Sequence, residues 1–135
     1  MMQEFAVELG RFADDVTDGV VDLHREVVLF IFAAIVQRSP VDTGVYRGNH
    51  RVSVGAIDTA IGPAPKADNL PSAGELLADA TRAANDALTS LAPFTTVYIQ
   101  NNLPYAEPLE EGHSQQAPLG IYKLALADAE QEYTT

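Results

Sequence analysis

Between Phe5 and Ala34 an apolar residue recurs every three or four positions: Phe5, Leu9, Phe12, Val16, Val20, Leu23, Val27, Phe30 and Ala34. That spacing sets all nine along one stripe of an α-helix. It predicts a single helix over residues 1–38 of a 135-residue chain. Asp14, Asp15, Asp18, Asp22 and Glu26 fall largely off the stripe and are expected in solvent, as is His24. Gly10 and Gly19 each cost about 1 kcal/mol relative to Ala in a helix interior, so a bend or break near either is allowed. From Val27 to Val36 the sequence turns apolar on every face. Such a segment must be covered all round, by its own domain or by another subunit. In so short a chain this is the first indication of assembly.

Ser39-Pro40 ends the helix, because the residue before proline is pushed out of the helical region. Val41-Asp42-Thr43-Gly44 reads as a turn whose Asp and Thr side chains bond nearby backbone N–H groups. Alternation between His50 and Ile61 predicts one or two short strands. Residues 62–71 are an exposed loop by their proline content, and Ser72 with Glu75 has the spacing of a capping box. The helix it opens carries Leu76, Leu77, Ala80, Ala83, Ala84, Ala87, Leu88 and Leu91 and stops at Pro93. Phe94–Asn101, rich in β-branched and aromatic residues, reads as a strand. A turn-rich stretch over 102–118 leads to a last helix at about 119–132 and a frayed tail from Tyr133. The order α, β, α, β, α predicts one α+β domain over 1–135. In it a long N-terminal helix and two further helices pack on a small, mainly antiparallel sheet.

Eight Lys and Arg stand against 19 Asp and Glu, a formal charge of −11. Phosphate backbones repel such a surface, which disfavours nucleic-acid binding. The absence of cysteine removes disulfides, thiolate metal sites and cysteine nucleophiles. The longest apolar run is about half the ~20 residues of a membrane span. The opening Met-Met-Gln-Glu has the wrong charge order for a signal peptide. Gly112-His113-Ser114 lacks the second glycine of a nucleophile elbow, and the nine glycines form no phosphate loop. Glu107, Glu110, Glu111 and His113 are the best metal candidates, but without the helical histidine spacing that marks a zinc site. Asp14, Asp15, Asp18 and Asp22 lack the calcium-loop pattern. No catalytic residue, metal or cofactor is expected. Arg47 and Arg51, with Arg38 upstream, form the only basic concentration, suited either to docking an acidic surface or to local ion pairs.

Two stretches carry a family resemblance. Residues 39–49, Ser-Pro-Val-Asp-Thr-Gly-Val-Tyr-Arg-Gly-Asn, resemble the S-P-V-D-T-G-x-x-R-x-S/N signature of tail-completion or neck proteins of long-tailed bacteriophages. This group includes the proteins similar to the lambda minor tail protein Z. Residues 101–121, Asn-Asn-Leu-Pro-Tyr-Ala-Glu-Pro-Leu-Glu-Glu-Gly-His-Ser-Gln-Gln-Ala-Pro-Leu-Gly-Ile, resemble its second signature, N-x-x-P-Y-A-x-x-L-E-x-G-x-S-x-Q-A-P-x-G. One departure is His50, where these proteins often carry tryptophan. The resemblance implies a structural virion subunit, made in the host cytoplasm. It would form a ring, by analogy of six copies, at the head–tail junction or tail end, beside other neck and tail-tube proteins. DNA would pass through the ring without specific binding, and neither enzymatic activity nor a cofactor is implied.

A closed ring needs two complementary surfaces on each subunit. The expected pair is Arg47 and Arg51 with the Asp42-Thr43-Gly44 turn on one side, and the 102–118 docking loop on the other. In that loop Glu107, Glu110 and Glu111 form the acidic face, beside His113. Tyr105 and Leu109 supply apolar anchors, and Pro104, Pro108 and Pro118 limit the entropy lost on ordering. Gly112 and Gly120 allow close backbone approach, and Gln115 and Gln116 add amide donors and acceptors. Two other readings stand beside this one. The first is a small acidic interaction module, of inhibitor or DNA-mimic type, binding a basic partner. The second is a metal-assisted hydrolase built on Glu110 and His113.

Overall fold

A computed structural model describes residues 2–39, 46–60, 73–103, 106, 110–112 and 119–134, with side chains from residue 7 onward except at residue 73. The fold is α+β. Its elements are α1 (Met2–Arg38), β1 (His50–Val54), α2 (Ala73–Leu88), β2 (Val97–Asn101) and α3 (Tyr122–Tyr133). A 3-10 turn, Arg47–Asn49, leads into β1.

The C-terminal half of α1 is the common support of the molecule. Val28, Phe32 and Val36, four residues apart, enter a core cluster with Val52 of β1, Ala80, Ala84 and Leu88 of α2, and Leu91. Val54, Val97 and Ile99 border the same cluster, so one face of the sheet lies against both helices. Ala34 and Ile35 enter a second cluster with Tyr46, Ile121 and Ala125, which seats α3. The run apolar on every face is thus mostly covered from within, by two clusters on two sides.

The nine-residue stripe is not the face that meets the first cluster. At about 100° per residue, Val28, Phe32 and Val36 lie on nearly the opposite side of the helix. Of the stripe, Ala34 is buried, Val27 and Phe30 are half-buried, and Leu9, Phe12, Val16, Val20 and Leu23 are exposed. The helix runs through Gly10 and Gly19 unbroken, and open space surrounds both.

The strands pair antiparallel, His50 opposite Asn101 and Val54 opposite Val97. β1 is shorter than the alternation suggested. Gly55 takes φ +83 and ends it, donating its N–H to Thr96 O at 2.8 Å. β2 starts at Val97 rather than Phe94, because Phe94 sits in the left-handed region at φ 62 and is 89% exposed. Small residues bring α2 close to the start of β1. A Cβ on Gly48 would stand 2.8 Å from Leu76 Cβ, so only glycine fits there.

Three side-chain ties fix the helices. Arg25 donates to Leu88 O at the C-terminal end of α2, where a cation is favoured. Arg38 forms a forked pair with Asp128 of α3, its closest contact at 2.7 Å. Phe30 meets Tyr133 edge to face at 5.6 Å. Tyr133 is therefore packed, not frayed, and α3 begins at Tyr122 rather than 119. The 62–71 loop and Ser72 of the capping box lie outside the described residues. Among the described residues no helix is long and apolar enough to cross a membrane.

Candidate functional site: a buried polar junction

The two signature segments meet. Ser39 ends α1, His50 opens β1, Asn101 closes β2, and Tyr122 opens α3. The side chains of Ser39, His50 and Tyr122 make one chain of hydrogen bonds, and Asn101 Nδ2 lies 3.4 Å from His50 Nδ1. Ser39 Oγ lies 2.7 Å from Ile35 O and 2.7 Å from His50 Nε2, and His50 Nδ1 lies 2.8 Å from Tyr122 OH. Asn101 Nδ2 donates to Tyr46 O at 2.9 Å, and Asn101 Oδ1 accepts from Leu103 N–H.

The direction of this chain follows from its end. A carbonyl only accepts, so Ser39 donates its proton to Ile35 O. The Ser39 oxygen must then accept from His50 Nε2–H, which leaves Nδ1 as the acceptor for the Tyr122 hydroxyl. The imidazole is held neutral: burial lowers its pKa to about 3. Burial, then the neighbouring Tyr46 and Glu110, pushes the Tyr122 hydroxyl well above the usual phenol range. Tyr46 packs edge to face on the imidazole at 4.8 Å.

Serine beside histidine suggests a nucleophile and its base, but the geometry opposes it. A general base needs its lone pair toward the serine proton. Here the nitrogen facing Ser39 carries a proton, and the serine proton points to a carbonyl. Ser39 is 5% and His50 2% exposed, so no substrate reaches them. The arrangement joins α1, the sheet and α3.

Glu110 belongs to the same junction. Oε2 accepts from Ile121 and Tyr122 N–H at 2.8 Å each, and Oε1 accepts from Lys123 N–H at 2.9 Å. A carboxylate thus caps the first turn of α3, satisfying free N–H groups at the positive end of the helix dipole. Gly120, at φ +94, makes this possible: a Cβ there would stand 2.9 Å from Glu110 O. Gly112 also takes a positive φ, +89. Glu110 is thus used within the chain, while Glu111 is exposed.

Arg47 and Arg51 lie elsewhere, beside α2. Arg51 reaches Asp58 at 3.4 Å, a local ion pair. Arg47 Nε, Arg51 Nε and Ser53 Oγ are buried without a hydrogen-bond partner among the described residues. Asp58 is itself held in place, its carbonyl accepting from Asn102 Nδ2 at 2.8 Å and from Gln100. A cleft of about 370 Å³ opens between Arg51, Asp58, Leu76 and Asp79.

Asp42, Thr43, Gly44, Pro104, Tyr105, Pro108, Leu109, His113, Gln115, Gln116 and Pro118, and Glu107 of the metal candidate, lie outside the described residues. Among the described residues no group of three or more metal-ligating side chains gathers. No local pattern marks His50 or Tyr122 as polar partners. Both sit in patterns that read as strand and helix, and their meeting across 72 positions has no local signature. No protein-family model, curated protein or solved structure matches the chain.

Proposed function

We propose that the chain is a structural virion subunit of a tailed bacteriophage. It acts as a neck or tail-completion protein that assembles as a ring around the DNA channel beside other neck and tail-tube proteins. One observation carries the reading. Three signature residues, Ser39, Asn101 and Glu110, are spent on joining elements at one buried junction, together with His50 and Tyr122, which directly follow the two signature segments. Signature residues used to fix an architecture fit a building block better than an enzyme. The half-buried Arg47 and the exposed Glu111 are the charged groups assigned to a head-to-tail contact, since Arg51 is engaged with Asp58.

The test is mass measurement in solution, with and without purified tail tubes, together with the protein content of purified particles. A ring formed alone or on the tube, and the chain in mature particles at a few copies each, is the expected result. Particles that are complete and infectious without the chain would refute it. A stable monomer that ignores tail tubes and binds a basic protein would favour the acidic interaction module.

A further inference from the structure

The upstream half of α1 carries an apolar surface that nothing in the described chain covers. Leu9 is 55%, Phe12 66%, Val16 50% and Leu23 53% exposed, although all lie on one stripe. The downstream end of the same stripe already receives a helix. Phe30 takes the Tyr133 ring of α3, and Ala34 lies with Ile121 and Ala125. The open part, from Leu9 to Leu23, is about 21 Å long at 1.5 Å per residue, room for a further helix of about four turns.

The borders of this surface say what fits it. Glu8, Asp15 and Asp22 recur seven residues apart along one border, and Glu26 continues the row. The other border holds Ala13, Thr17 and His24. Residues 7–26 carry six acids (Glu8, Asp14, Asp15, Asp18, Asp22, Glu26) against Arg11 and Arg25. Arg25 is engaged with Leu88 O and Asp22. Two such arms pairing antiparallel would set acidic row against acidic row, which is destabilising. An anionic lipid surface is opposed by the same charge.

We propose that the α1 stripe between Leu9 and Leu23 is a docking site for an amphipathic helix of a different polypeptide, with an apolar stripe and a basic row along one border. The apolar stripe supplies the affinity, and the one-sided acidic row sets the partner's orientation. This inference does not rest on the virion reading.

The test uses the full chain and two synthetic helical peptides of ~18 residues, long enough to be marginally helical alone. Both carry a leucine stripe; one has a lysine row along a single border, the other a glutamate row. Binding is read by fluorescence anisotropy at physiological ionic strength, for the wild type and for the double variant Phe12→Gln, Val16→Gln. Both positions lie outside the core, and circular dichroism with a thermal melt checks the variant's fold. The wild type is expected to bind the lysine peptide at least about tenfold more tightly than the glutamate peptide, and about tenfold more tightly than the variant does. Equal binding to wild type and variant would reduce the effect to diffuse charge attraction and overturn the proposal. So would no binding of the lysine peptide, or a wild-type dimer that the double substitution converts to monomer, which would make a second copy the occupant.

Discussion

His50 joins the end of α1 to the start of α3 through Ser39 and Tyr122. Its replacement by Phe keeps an aromatic ring but leaves the Tyr122 hydroxyl without its acceptor and the Ser39 oxygen without its donor. The expected loss is about 2–4 kcal/mol by urea unfolding. The same residue sets a pH dependence. Its folded pKa, about 3, lies below the ordinary 6.5. Above pH 6.5 it is neutral folded and unfolded and contributes no slope. Between 6.5 and 3 the unfolded chain takes up a proton that the folded one refuses. Stability therefore falls as pH drops, by up to about 1.4 kcal/mol per pH unit. Urea titrations at pH 7, 6 and 5 should show this slope in the wild type and lose it in His50→Phe. Gly48→Ala, driving a Cβ to 2.8 Å from Leu76 Cβ, should cost about 1–3 kcal/mol. Glu110→Ala should cost about the same by uncapping α3, read as a lower melting temperature. Single residues were poorly legible in the sequence for a plain reason. Glu110 sits in an acidic cluster that reads as surface, and only the fold brings the start of α3 under its carboxylate.

The helices were far more legible than the face they bury. Period fixes an axis and a stripe, and α1 follows it from Met2 to Arg38. Between Val27 and Val36, however, every side is apolar, so hydropathy cannot say which side meets the sheet. The choice falls to Val28, Phe32 and Val36 because α2 and the strands offer small and β-branched partners there. The strands end short of their propensity pattern where backbone conformation overrides it, at Gly55 and at Phe94. The ties between elements are open to test. Removing the forked pair with Arg38→Ala should loosen α3 from α1 by about 1 kcal/mol, since the pair is roughly one-third exposed and screened by solvent. A double-mutant cycle with Asp128→Asn measures the coupling. Truncation of Phe12, in contrast, should change stability by less than about 0.5 kcal/mol.

At the scale of the whole chain, the acidic balance predicts weak attraction to DNA at any salt. Retention of duplex DNA by the purified protein at low ionic strength would contradict a channel that lets DNA slide. The overall α+β layout was readable because helix and strand periods alternate cleanly along the chain. What joins the elements was not, because it depends on residues brought together from distant positions. That both clusters rest on the second half of α1 has a kinetic side. Val54 and Val97 pair across 43 positions with α2 between them, so the strands have no tight turn to start them. The folding nucleus should form where Val28 and Phe32 gather α2 and the strands. Conservative truncations there should slow folding in stopped-flow measurements, whereas changes at Leu9 or Phe12 should leave both arms of the chevron in place.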